Sequence, residues 1–109
     1  MKELNDTLHL FLKGKWYDMI ASGAKKVEYR RICDYWNSRL LAIDEKDRIV
    51  YRSYNSVIFH RGYTSTIMKW KVDRITVGYG DPCLGAPPDK KVYKIGCQVC
   101  AHNSIQFFG

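Results

Sequence analysis

Hydrophobic and polar positions change their period several times along these 109 residues, and each change marks an element. "TLHLFL" (7–12) is apolar and bounded by charge, which predicts a buried first strand. From Trp16 the spacing becomes helical. Trp16, Met19, Ile20 and Gly23 fall at i, i+3, i+4 and i+7, with Tyr17 and Ala21 widening the stripe. Gly23 suits the C-terminal cap of that helix, where a left-handed backbone is common. "KKVEYRR" (25–31) then predicts a strand whose alternation puts Lys26, Glu28 and Arg30 on one face and Val27 and Tyr29 on the other.

"DYWNSRLL" (34–41) predicts a second short helix, capped by Asp34 and burying Tyr35, Leu40 and Leu41. "DEKD" (44–47) is a surface loop, and "NSVIFH" (55–60) is a strand that stops at Gly62. "TIMKWKVDRITV" (66–77) alternates, but Ile67, Val72 and Ile75 do not share one parity, which predicts a bulge or bend. "GYGDPCLGAPPDKK" (78–91) is broken by glycines and prolines into a long loop. "VYKIGCQVC" (92–100) is the last strand, and the tail after it has no clear pattern. The order β-α-β-α-β-β-β, with most strands late and adjacent, predicts an α+β domain: a small, largely antiparallel β-barrel with two short helices. There is no repeat, low-complexity tract or long linker, so the length implies one domain spanning 1–109.

Composition narrows the class. A hydrophobic fraction of 46% supports a compact core and argues against disorder. No apolar run approaches the roughly 18 residues that a membrane helix needs. "MKELNDTLHL" carries charge where a signal peptide would be apolar, so the expectation is a cytoplasmic protein. Lys and Arg number 18 against 11 Asp and Glu, and the resulting +7 favours phosphate-bearing partners. Cys33, Cys83, Cys97 and Cys100 are expected to be reduced thiols. "CQVCAH" is half a zinc site whose second half is missing, so no metal and no cofactor is expected.

Charge is concentrated in one segment. Residues 13–31 hold six Lys or Arg against Asp18 and Glu28, a net +4 out of +7. Lys25, Glu28 and Arg30 read as a polar row in which Glu28 fixes the Arg30 fork by a charge-assisted hydrogen bond, while Lys25 supplies a point charge from the turn. A fixed fork can meet phosphate or the edge of a base. The alternative is a solvated ion pair worth at most about 1 kcal/mol. Lys13 and Lys15 flank Gly14 at the start of the first helix, where backbone N–H groups favour anions. Arg61, Gly62 and Tyr63 end a strand with a cation and a ring; Tyr63 either stacks on a base or packs over the end of the sheet. Trp16 reads as core. His60 reads as a hydrogen-bonded structural residue or a general base. Lys46 and Lys90 read as ordinary surface lysines.

"LKGKWYDMIASGAKKVEYR" resembles the ASCH domain, a small β-barrel family related to the PUA fold. The family signature is a glycine, one residue, lysine, two residues, glutamate, one residue, arginine. Gly23, Lys25, Glu28 and Arg30 meet it. "DYWNSRL", "SVIFHRGYTS" and "GYGDPCLGAPPDKKVYKI" are similar to the short ASCH-containing proteins of phages and bacterial genomes. The resemblance runs from about Leu8 to Ile95. It implies a barrel with a cleft beside the first helix and the following strand, and RNA or a nucleotide-like ligand as partner. It also admits enzymes. Some ASCH proteins remove an acyl group from modified cytidine and others cleave RNA. In the cytidine amidohydrolases a threonine nucleophile stands where this chain has Glu28, so that chemistry does not transfer; Lys25 and Glu28 remain the catalytic candidates. The expected ligand residues are Lys13, Lys15, Lys25, Glu28, Arg30, Arg61 and Tyr63. Three readings stay open: a nucleotide-binding module, a hydrolase of a nucleoside or RNA, and a non-catalytic interaction or phage accessory protein.

Overall fold

A computed structural model describes residues 7–98 and 106–108. The chain runs β1 (Thr7–Leu12), α1 (Gly14–Ser22), β2 (Val27–Arg30), α2 (Asp34–Leu40), β3 (Leu41–Ile43), β4 (Ile49–Tyr51), β5 (Ser56–Arg61), β6 (Ile67–Gly78), β7 (Val92–Gln98) and β8 (Gln106–Phe108). The α+β class and the two helices agree with the sequence reading. The main sheet has the order β1-β5-β6-β7-β2, with β8 also on β6, and every pair in it is antiparallel except β1 with β5. No ladder joins β1 to β2 among the described residues. The sheet is therefore open in its backbone pairing, where the sequence reading expected a barrel.

Strand periodicity explains the core. Leu8, Leu10 and Leu12 of β1 alternate inward, as do Val57 and Phe59 of β5 and Met68, Trp70 and Val72 of β6. The register of β6 against β7 shifts between Val72 and Arg74, after which Ile75 takes the inward position. This is the bulge that the mixed parity of 66–77 predicts. Tyr17 and Ile20 of α1, Leu40 of α2 and Tyr93, Ile95 and Cys97 of β7 complete one hydrophobic cluster.

The helices differ from expectation in detail. Gly23 caps α1 with φ 89° and donates its N–H to the Ile20 carbonyl at 3.1 Å, as its position implies. Asp34 does not cap α2. It occupies the first turn, behind an extended Cys33, where its charge complements the helix dipole. Tyr35 is exposed, not buried, and lies against the Arg39 guanidinium at 3.6 Å. Leu41 leaves the helix and begins the β3–β4 hairpin, whose turn is the charged 44–47 segment. Each strand of that hairpin is only three residues long, too short for its period to show in the sequence.

Candidate functional site: a buried charge cluster behind a basic cleft

The tight turn at Gly23 reverses the chain, and the Lys25 N–H is held by the Met19 carbonyl at 3.1 Å. That anchor turns the Lys25 side chain inward. Lys25 is 2% exposed and Glu28 7%, the two buried charged residues among those described. Lys25, read from the sequence as a point charge supplied from the turn, is enclosed. Its Nζ donates to the Leu84 carbonyl, lies 3.5 Å from Glu28 Oε1, and sits over the rings of Tyr29 (4.5 Å) and Trp16 (5.0 Å).

Glu28 and Arg30 share a face of β2, and Arg30 Nη2 donates to Glu28 Oε2 at 2.9 Å. The same nitrogen donates to the Phe11 carbonyl on β1 at 2.8 Å, and the guanidinium carbon stands 5.1 Å from the Trp36 ring. Arg30 Nε is buried without a hydrogen-bond partner. These groups do not form a solvated surface pair. In a low-dielectric setting each depends on the others for compensation. Burial is the largest influence on both ends: it pulls Lys25 below the usual lysine value and pushes Glu28 above the usual carboxylate value. Arg30 and Lys25 act against that rise in Glu28.

The 78–91 loop roofs the cluster. Asp81 accepts from the Cys83 N–H at 2.9 Å and starts a 3-10 turn, Pro82–Leu84, which ends at Gly85 with φ 105°. The Asp81 N–H donates to the Tyr29 hydroxyl at 3.1 Å, and Gly85 lies against the Trp16 ring. Only glycine fits at Gly80, where a Cβ would stand 2.6 Å from the Ala86 Cβ and 2.8 Å from Tyr29 Cζ. Trp16, expected in the core, is half-buried. It packs against the core while bracing this loop and Lys25.

In front of the cluster is a cleft of about 420 Å³. Arg30, Arg31, Lys90 and Lys91 give it four cations, Tyr29, Ile32, Pro87 and Val92 give it an apolar lining, and no carboxylate lines it. Sequence reading missed Arg31, Lys90 and Lys91, and took Lys90 for an ordinary surface lysine. The run "DKK" just before the last strand was the available signal, but only tertiary folding brings it beside Arg30. Trp36 was likewise unassigned and serves as the aromatic neighbour of the Arg30 fork.

The remaining expected residues lie elsewhere. Arg61 is engaged by Asp18 through Nε–Oδ1 at 3.1 Å and Nη2–Oδ2 at 2.9 Å, and its guanidinium lies over Gly14. Lys15 sits over the Trp16 ring at 4.6 Å. Lys13 and Tyr63 come together with Phe11, Leu12 and Gly62 around a groove of about 200 Å³. His60 is hydrogen-bonded, with its Nε2 3.0 Å from His9 Nδ1.

Cys33, Cys83 and Cys97 are free thiols, and burial, with Glu28 adding, pushes the Cys97 thiol up to about 12. No group of three or more His, Cys, Asp or Glu side chains among the described residues could hold a metal. Cys100 and His102 of the half-site lie outside the described residues. No helix of the described residues is long and apolar enough to cross a membrane. No family model, curated protein or solved structure matches this chain.

Proposed function

We propose that this chain is a small ASCH-like binding domain, and that the cleft fronted by Arg30 takes an anionic, base-bearing ligand, a nucleotide or a segment of RNA. One observation carries the reading: four cations and an apolar wall line one cleft that has no carboxylate of its own. The phosphate would meet Arg31, Lys90 and Lys91, while the base would lie on the apolar wall beside Arg30. Glu28 and the Phe11 carbonyl hold the Arg30 guanidinium in one orientation through Nη2, which lowers the entropy cost of a ligand contact through Nη1. In the barrel implied by the ASCH resemblance, this Arg30 link would stand where a ladder between β1 and β2 would otherwise close the sheet.

The hydrolytic alternative uses Lys25 and Glu28 as proton donor and acceptor, and the directions of their pKa shifts suit that role. Their enclosure beneath the 78–91 loop weighs against it, since Lys25 Nζ is committed to the Leu84 carbonyl. Binding is the better-supported reading.

The test is calorimetric titration of uridine and cytidine monophosphates at two salt concentrations, with thermal denaturation as a check on folding. Wild type should bind with an affinity that falls with salt. Lys91→Ala and Arg31→Ala should weaken it while leaving the melting temperature unchanged, and Lys46→Ala should do nothing. Absence of saturable binding, or affinity indifferent to Arg31 and Lys91, overturns the proposal.

A further inference from the structure

A second surface, on the outer face of the sheet, has a composition suited to the same chemistry. The outward positions of β1, β5 and β6 form rows fixed by register. Phe11 lies beside His60 and Ile67, His9 beside Ile58 and Lys69, and Thr7 beside Ser56 and Lys71. Four rings run into one another along this face. His9 and His60 have centroids 5.2 Å apart, His60 and Phe11 4.2 Å, and Phe11 and Tyr63 5.3 Å, the last two pairs stacked. Tyr63, at the end of the series, is 93% exposed, and Phe11 is 45% exposed.

The turn that carries Tyr63 is tied down. The Gly62 N–H donates to the Leu12 carbonyl at 2.7 Å, Arg61 N–H to the Thr66 carbonyl at 3.0 Å, and Thr64 Oγ1 to the Arg61 carbonyl at 2.6 Å. The exposed ring is therefore presented by a fixed turn. Residues 7–13, 56–63 and 67–71 contain no Asp or Glu; they include Lys13 and Lys71, while the Arg61 charge is met by Asp18. Lys13 lines the groove beside Phe11 and Tyr63. Exposed rings with lysines beside them fit unpaired bases joined by phosphates, because every base has a face to stack and every linkage a charge to neutralise.

We propose that this outer face, centred on Phe11 and Tyr63, is a stacking track for single-stranded oligonucleotide. The physiological ligand is then a strand rather than a free nucleotide. Phe11 joins the two surfaces: its ring belongs to the track and its carbonyl receives the Arg30 fork from the cleft. The inference rests on the cleft reading for the second point of contact, but its own evidence is separate.

The experiment compares three probes by fluorescence anisotropy and competition: octauridylate, an abasic phosphodiester octamer of the same charge, and uridine monophosphate. Wild type should hold octauridylate well above the other two. Tyr63→Ala, at a site too exposed to unsettle the fold, should weaken octauridylate about 5- to 100-fold and leave uridine monophosphate unchanged. Lys13→Ala should weaken both octamers alike and lower the salt slope by about 0.7. The track is overturned if the abasic octamer binds as tightly as octauridylate, if Tyr63→Ala has no effect, or if it weakens the mononucleotide equally. It is also overturned if wild type does not bind octauridylate. Retained mononucleotide binding sensitive to Lys91→Ala would then leave the cleft standing without the track. Tyr63-dependent octauridylate binding with no mononucleotide binding would leave the track without the cleft.

Discussion

Arg30 Nη2 on β2 donates to the Phe11 carbonyl on β1 at 2.8 Å, joining by one side chain the two strands that end the main sheet. The same nitrogen neutralises buried Glu28 at 2.9 Å. A residue that reads in the sequence as a ligand contact is thus also a structural clasp. Arg30→Ala would leave Glu28 enclosed with only Lys25 at 3.5 Å and expose an edge carbonyl. A stability loss of about 3 kcal/mol is expected by urea denaturation, with a smaller loss for Arg30→Lys, which keeps the charge but not the fork. A loss below about 0.5 kcal/mol for the alanine variant would show that the cluster is not interdependent.

Gly80 tests the roof over Lys25. A β-carbon there meets Ala86 at 2.6 Å and the Tyr29 ring, so the 78–91 loop must shift away from β2. Gly80→Ala should destabilise by about 1–3 kcal/mol and raise hydrogen exchange at Asp81 and Leu84, whose N–H groups are bonded within this contact. Unchanged exchange at both amides would mean that the loop is held by something other than this close approach.

The cysteines should separate by reactivity. Cys97 is buried with its thiol pushed up to about 12, whereas Cys83 is exposed. The Cys33 thiol is pulled below its ordinary value, chiefly by the Trp36 backbone N–H. Iodoacetamide at pH 8 followed by peptide mass spectrometry should find Cys33 and Cys83 modified and Cys97 protected until denaturant is added. Rapid labelling of Cys97 in the native protein would contradict its place in the core.

His60 should couple stability to pH. Burial first, and His9 second, hold its folded pKa below the ordinary histidine value. A folded pKa that is depressed contributes stability above the unfolded value of about 6.5, and that contribution is lost as pH falls from there toward the folded value. Urea midpoints should therefore fall between pH 7.5 and pH 5 in the wild type. The fall should be shallower in His60→Phe, which keeps a ring against Phe11. Equal slopes for the two proteins would remove His60 from the account.

The sequence by itself determined the parts whose signal is local. The helical stripe ending at Gly23, the inward leucines of β1 and the parity break in 66–77 all follow from backbone period and from glycine's access to positive φ. The Glu28–Arg30 bond was legible for the same reason, since residues two apart on a strand share a face. Tertiary structure decided which side of the strand was inside. Alternation gives two faces but does not say which meets the core when one carries charge and the other a valine and a tyrosine. The 78–91 loop settled it by covering Lys25 and setting Lys90 and Lys91 beside Arg30, 60 residues away in sequence from Lys90. The Arg61–Asp18 pair and the Phe11–Tyr63 stack are equally invisible in the chain. Each joins segments far apart in sequence, and such contacts are chosen by packing of the whole sheet rather than by any local preference.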